Sequence, residues 1–337
     1  MFDPVLAFAG NDNFFFPPGA STFVDEVDGF FFAQVWVFAI FTVGILGTIG
    51  WFMWKYRARP GYVGSKHALH NNALEITWTV IPSFIVVWIF AQGVVGYLDQ
   101  MNWPTDTHNI DVTAQQWAWT FRYPNSAISA EELHLPVDRP VKLTMRSTDV
   151  IHSLFIRQFR VKQDIVPGRY TYMWFQATEV TKPGEHFDLY CTEYCGDKHS
   201  MMNVKVFVHT EEDYQKWLEN AAKPPEEPAA HGQWLYERVG CKACHSIDGS
   251  RNVGPTWQNA WGTQVPISGD GTVLFDENYV RESIYDPQAK IHAGFENQRM
   301  NSYRGQLKDT QVDAIIAFMR TLKAGGETPA PPAAAGN

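Results

Sequence analysis

The sequence predicts a multi-domain membrane protein: a two-helix transmembrane hairpin, then an all-β Greek-key barrel, then an all-α domain. Three observations predict it. Two uncharged or nearly uncharged apolar runs, Phe30 to Trp54 and Leu74 to Tyr97, are each long enough to cross a bilayer. From about Thr107 the pattern changes to period-two alternation, which ends near His209. After a Pro-rich stretch, Cys241-Lys242-Ala243-Cys244-His245 opens a segment of helical periodicity. A chain of 337 residues has room for two or three such domains.

Residues 1–29 read as an extended leader, broken at Pro17-Pro18-Gly19 and acidic at its end through Asp25, Glu26 and Asp28. It lacks the basic start of a secretory signal peptide. Residues 30–98 form the hairpin. Trp51 and Trp54 close the first span at the depth where aromatic belts form. Lys55, Arg57, Arg59 and Lys66 follow, and the positive-inside rule places this loop in the cytoplasm with both hairpin ends outside. The second span carries Glu75 as its one charge and Pro82 as an expected kink. A buried helix pair of a soluble protein is the competing reading, but basic residues between two spans of this length oppose it.

Residues 107–210 are the β domain. Ile110 to Thr113, Val141 to Met145 and Asn203 to Val208 supply strands, punctuated by Pro136, Pro140, Pro167-Gly168 and Pro183-Gly184. Residues 211–230 read as a short acidic helix, Glu211 to Ala222, and a stiff linker, Lys223 to Ala230. Residues 231–323 are the α domain, and the Pro/Ala/Gly tail 324–337 is expected to be disordered. The formal charge of −9 argues against nucleic-acid binding and suits a basic protein partner. All four cysteines fall in two short pairs, which leaves none for a disulfide framework.

The densest chemistry lies in Cys191-Thr192-Glu193-Tyr194-Cys195-Gly196-Asp197-Lys198-His199-Ser200-Met201-Met202. Thiolate, imidazole and thioether together suit copper or zinc, not calcium or magnesium. Zinc would be satisfied by Cys and His, and a thioether adds little to it. Two cysteines four residues apart let two thiolates bridge two copper ions. Each copper then needs a terminal His and a weak axial ligand. His199 and Met202 supply two of these positions. His152, just after a strand-like run, is the candidate for the other His. The backbone carbonyl of Glu193 is the candidate for the remaining axial position. A disulfide would account for the Cys pair but not for His199 and Met202 at these offsets.

This loop resembles the dinuclear copper motif of subunit II of haem–copper cytochrome c oxidases, and the β domain is then cupredoxin-like. The C-x-x-C-H run is the attachment signature of c-type haem: Cys241 and Cys244 form thioethers and His245 reaches the iron. Zinc or a redox dithiol are the alternatives. Gly254-Pro255 follows where a class I cytochrome c supports its proximal His. For the distal ligand, Met300 and Met319 compete. Met319 shares a helical face with Val312, Ile315, Ile316 and Leu322, which reads as core. Met300 precedes Ser302-Tyr303 in a segment that resembles the Met-Pro-x-Tyr of oxidase-fused cytochromes, with Asn301 in place of the Pro.

Taken together the chain resembles the fused subunit II of caa-type oxidases. The resemblance implies electron transfer from haem c to the copper pair and on to haem in subunit I, where oxygen is reduced to water and protons are pumped. It implies subunits I and III as partners, membrane lipid around the hairpin, and the copper and cytochrome domains on the outer face of a bacterial plasma membrane. The donor would be a soluble cytochrome c, a bc complex or an alternative quinol-oxidising complex. It further implies that the Glu193 carboxylate contributes to a magnesium or manganese site shared with subunit I, although a solvated loop carboxylate explains it equally. Asp149 either hydrogen-bonds the His152 region or simply forms a turn.

Within Gln116-Trp117-Ala118-Trp119-Thr120-Phe121-Arg122-Tyr123, Trp117 aligns with the tryptophan through which cytochrome c electrons enter. Against that, Trp117, Trp119, Phe121 and Tyr123 alternate, and one regular strand would bury all four on one face. Glu75 resembles the glutamate at the mouth of a proton channel, and it also suits the positive start of a helix. A quinol-oxidase subunit would lack the copper ligands, and nitrous oxide reductase would lack the spans. A thioredoxin-like copper-delivery protein would lack both the loop and the haem motif. A membrane-anchored electron carrier serving another terminal reductase is the alternative that sequence leaves open.

Overall fold

The computed structural model describes residues 14–61, 70–130, 132–269 and 271–323. The first part of the leader, Lys66 and the tail 324–337 lie outside the described residues.

Helix α1, Val24–Lys55, begins six residues before the apolar run and takes in the acidic stretch. Asp25 and Glu26 occupy its first turn, where carboxylates complement the helix dipole. Asp28 is only 3% exposed because it meets Arg160 of the β domain, Nε to Oδ1 at 2.7 Å and Nη2 to Oδ2 at 2.9 Å. Helix α2, Asn72–Met101, starts at Asn71, whose side chain accepts from the Leu74 N–H at 3.2 Å, and runs through Pro82. Both helices are long and apolar enough to cross a membrane. Phe38, Phe84 and Phe90 are 70% exposed or more, and α2 buries none of its residues within the chain. Apolar area on this scale needs lipid or partner helices around it.

Ten strands build the β domain among the described residues. They are β1 His108–Gln115, β2 Ala118–Arg122, β3 Ile128–Ser129, β4 Glu132–Pro136, β5 Pro140–Ser147, β6 His152–Ile156, β7 Val161–Ile165, β8 Thr171–Gln176, β9 Phe187–Cys191 and β10 Asn203–His209. One sheet runs in the order β3-β2-β1-β5-β8, the other β4-β10-β9-β6-β7. The β1–β5 and β4–β10 pairs are parallel and the other pairs antiparallel. Alternate residues point inward: Ile110, Val112 and Ala114 on β1, Val141, Leu143 and Met145 on β5, Val204, Val206 and Val208 on β10. Trp119, Phe121, Phe159 and Phe175 fill the space between the sheets. Helix α3, Glu211–Ala221, is capped by Thr210 and packs Tyr214 and Leu218 on this core.

Helix α4, Pro228–Arg238, begins inside the stretch read as linker. Proline suits the first helical turn because its missing N–H needs no partner there, and the Glu227 carboxylate caps the next amides. Helix α4 packs on α7, Asp309–Thr321. Between them lie the one-turn α5, Cys241–Cys244, and α6, Glu277–Tyr285. A small hairpin, β11 Gln264–Ile267 and β12 Gly271–Leu274, is also present, which helical periodicity did not anticipate. Ile128 of the barrel joins the apolar cluster of this domain, beside Trp234. The two outer domains are therefore in contact.

Candidate copper and haem centres

Strand β9 ends at Cys191 and β10 starts at Asn203, so the ligand loop is a connection within one sheet. The Cys191 N–H donates to the Met202 carbonyl at 3.2 Å and the Thr192 N–H to the Ser153 carbonyl at 2.9 Å, which closes the loop over β6. Gly196 allows its inner turn. Its φ is +117°, and a Cβ there would lie 2.9 Å from Trp117 Cζ2.

This folding gathers the donors. Cys191 Sγ and Cys195 Sγ are 3.8 Å apart and unbonded. Cys195 Sγ lies 3.5 Å from His199 Nδ1 and 3.9 Å from Met202 Sδ. Cys191 Sγ lies 3.9 Å from His152 Nδ1 and 3.3 Å from the Glu193 carbonyl. His152, Cys191 and Cys195 form the one group of metal-capable side chains found among the described residues. The other four predicted donors thus each lie within 3.9 Å of one of the two sulfurs, His152 and the Glu193 carbonyl beside Cys191, His199 and Met202 beside Cys195. The Glu193 side chain itself is exposed.

His152 is fully buried and presents Nδ1 to sulfur because its Nε2 is held by Asp149 Oδ1 at 2.8 Å. Asp149 is therefore a hydrogen-bond partner of a candidate ligand as well as a turn residue. Burial opposes charge on the imidazole, but the Asp149 hydrogen bond and the nearby Cys191 outweigh it and raise its pKa. Burial also opposes the Cys191 thiolate, yet hydrogen bonds from His152 and the neighbouring backbone pull that thiol down. Burial and then the Cys191 charge push the Cys195 thiol up. Two touching thiolates need cationic charge between them, and two copper ions fit that requirement.

The second centre is a partly open pocket bordered by Cys241, Cys244, His245, Met300, Tyr303 and Met319. His245 Nδ1 bonds the Pro255 carbonyl at 2.8 Å, which directs Nε2 away as the free donor. Burial pushes the His245 pKa down and favours the neutral ring that a metal needs. Gly254 lies against that ring: a Cβ would meet it at 2.7 Å. Met319 is 4% exposed and belongs to the packed face of α7, while Met300 sits in the loop before it and is only partly buried. The paired cysteines and the oriented imidazole on one apolar pocket wall fit a covalent haem.

Trp117 is not on a strand with Trp119, Phe121 and Tyr123. β1 ends at Gln115 and β2 starts at Ala118, so Trp117 occupies the hairpin tip and packs on the copper loop, while the other three are buried in the core. The alternation was real, but the turn removed Trp117 from the buried face. Glu75 lies in the first turn of α2, where its Oε1 accepts the Asn71 N–H at 3.3 Å. Sequence reasoning missed the residues that join the two centres. Gln116 Nε2 donates to the Cys195 carbonyl at 2.6 Å and its own carbonyl is 3.9 Å from Cys244 Sγ. Gln115 Nε2 meets Tyr303 Oη at 2.9 Å, and Asn301 Nδ2 donates to Asp149 Oδ2 at 3.0 Å. Asn301 and Tyr303 stand in the segment that resembles Met-Pro-x-Tyr, but nothing in the sequence pairs them with the β domain.

Three family models match the chain in order: the transmembrane domain of cytochrome c oxidase subunit II at residues 9–93, its periplasmic domain at 125–208, and cytochrome c at 229–323. Cytochrome c oxidase subunit 2 of Alkalihalophilus pseudofirmus is 33% identical over 300 residues, 85% of this chain and 82% of that one. The chain belongs to the cytochrome c oxidase subunit II family. The corresponding subunit of Bacillus sp. PS3 is 26% identical over 291 residues, 80% of each chain. The periplasmic domain of subunit II from Bradyrhizobium japonicum superposes with a TM-score of 0.33 at 26% identity, covering 36% of this chain and 96% of that one. As a subunit II, the chain is anchored in the membrane by α1 and α2, with its β domain on the outer face. Its C-terminal domain is a fused cytochrome c.

Proposed function

We propose that this chain passes electrons from a covalent haem c to a dinuclear copper centre within a proton-pumping cytochrome c oxidase. Cys191 and Cys195 would bridge the coppers, His152 and His199 would be their terminal ligands, and Met202 and the Glu193 carbonyl their axial ones. Cys241 and Cys244 would carry the haem, with His245 and Met300 on its iron. When bound, these groups each take up and release single electrons.

The chain's own residues keep that chemistry cheap in reorganisation. The copper loop is tied to β6 and β10 by backbone hydrogen bonds, and Trp119 Nε1 holds the Met202 carbonyl at 3.3 Å. Asp149 fixes the tautomer and orientation of His152, as Pro255 does for His245. A ligand set already in place moves little when its charge changes.

Subunits I and III would cover the bare faces of α1 and α2. The acidic chain suits a basic upstream donor, such as a soluble cytochrome, or contact with a quinol-oxidising complex. Trp117, packed against the copper loop, is the candidate for electron entry. The exposed Glu193 carboxylate is a candidate magnesium ligand toward subunit I, and Glu75 a candidate at a proton-channel mouth.

The observation that carries the reading is the convergence of both cysteines, both histidines and Met202 beside a cavity bearing the C-x-x-C-H residues. Metal and haem analysis of the purified oxidase tests it. Two coppers and one haem c on this chain, with the paramagnetic spectrum of a delocalised mixed-valence pair, are expected. A chain that takes up no copper on reconstitution would overturn the ligand assignment, and failure to co-purify with subunit I would overturn the oxidase role.

A further inference from the structure

Asp149 is the point where the two centres meet. Its side chain is 7% exposed, in the turn between β5 and β6. A carboxylate offers about four acceptor positions. Oδ1 accepts from His152 Nε2 at 2.8 Å and from the Val150 N–H at 2.7 Å; Ser147 Oγ also lies 3.3 Å from it, but its hydroxyl has a shorter acceptor in the Val150 carbonyl at 2.5 Å. Oδ2 accepts from the Gln116 N–H at 2.6 Å and from Asn301 Nδ2 at 3.0 Å. Three of these donors belong to the β domain. The fourth comes from the cytochrome domain, 152 positions further along the chain and next to Met300. A proline at position 301 would have no side-chain donor to offer.

We propose that Asn301 is a positioning residue that couples the haem-side methionine loop to the copper-side His152 through Asp149. The inference rests on the copper and haem reading above. A buried carboxylate divides its charge among its donors. Each hydrogen bond it accepts elsewhere weakens its pull on the His152 Nε2–H. That pull makes Nδ1 a stronger donor to the metal, and stronger donation favours the oxidised copper pair. Asn301 therefore holds the copper potential up. It does so only while the Met300 loop is docked against the β domain, so the conformation of the haem-side loop is felt at the copper ligand.

The test is a redox titration of both centres in the intact oxidase carrying N301A, with N301P as a second variant lacking the same donor. The copper midpoint potential falls in both, by an amount equivalent to roughly a threefold change in the one-electron equilibrium, or about 30 mV at 59 mV per tenfold. The I128A variant is the control. It removes the β-domain side chain that packs into the cytochrome cluster without touching Asp149, and it leaves the copper potential at the wild-type value. An unchanged copper potential in N301A, with copper and haem contents intact, overturns the inference and leaves the proposed function standing. An equal fall in I128A also overturns it, because general loosening of the interface would then be the cause. A wild-type protein without copper would overturn both.

Discussion

Arg160 fastens the β domain to the first membrane helix, and replacing it with methionine should cost about 3–5 kcal/mol, the loss typical when one partner of a buried ion pair is removed. The structure supplies the reason for the size. The Arg160 side chain is 4% exposed, and its backbone is left-handed at φ +58°. Two nitrogens grip both oxygens of Asp28, one of them also reaches the Pro17 carbonyl at 2.9 Å, and Nη1 holds the Arg157 carbonyl at 2.8 Å. The guanidinium carbon lies 4.8 Å from the centre of the Phe16 ring. Methionine would match the stem but leave the Asp28 carboxylate buried without its cation. The double variant R160M/D28N removes the orphaned charge and should recover most of the loss. Thermal unfolding of the purified subunit in detergent, followed through the copper chromophore, would show R160M lowered by roughly 12 °C or more, at about 4 °C per kcal/mol. A double variant no more stable than R160M would refute the reasoning, because charge burial would then not be the cost.

Two further outcomes are expected. His209 and His134 lie 2.8 Å apart, and His134 stacks on Trp217 at 4.0 Å. Burial pushes both imidazoles down, His209 from 6.5 to about 4. The folded value lies below the unfolded one, so the contribution is complete above pH 6.5 and is lost as pH falls toward 4. Because His209 is partly solvent-screened, it should remove on the order of 1 kcal/mol between pH 7 and pH 5, read as a shift in denaturant midpoint that H209Q flattens. The C191S variant should retain haem c but lose the delocalised mixed-valence spectrum. A wild-type copper spectrum in C191S would contradict a thiolate bridge at that position.

The candidate copper site was legible because five of its six proposed donors lie in one loop, and the offsets of Cys191, Cys195, His199 and Met202 have chemical meaning without a fold. His152 could be named because it follows a strand. What escaped the sequence depends on partners far along the chain. Asp28 read as the acidic end of a leader, since nothing near it announces Arg160. Glu227-Pro228 read as linker, although the same pair is a good helix start once α7 stands ready to cover α4. Trp117 shared a period-two pattern with three core residues, and only the position of the β1–β2 turn separates it from them. The β11–β12 hairpin lies in a segment whose polar residues mask its alternation.

The way the outer domains are joined sets how electrons can be delivered. Between α3 and α4 the chain has only a few residues, which keep the cytochrome domain nearby but do not orient it. Orientation comes from the ligand loops themselves. Lys198, between Cys195 and His199, donates to the Ala243 carbonyl at 3.2 Å and to Asn252 Oδ1. Gly240, just before Cys241, leaves so little room that a Cβ there would lie 2.9 Å from Gln115 Nε2. Gln116 touches the Cys244 sulfur with its carbonyl and Cys195 with its side chain. The residues that shape each centre are thus neighbours of those that bind the domains together, so docking and site geometry are one structural problem. A haem domain held in this way does not search for the copper loop. The diffusional step moves outward, to the meeting of the upstream donor with the cytochrome domain. Ionic strength should then act on that meeting and not on the transfer from haem to copper.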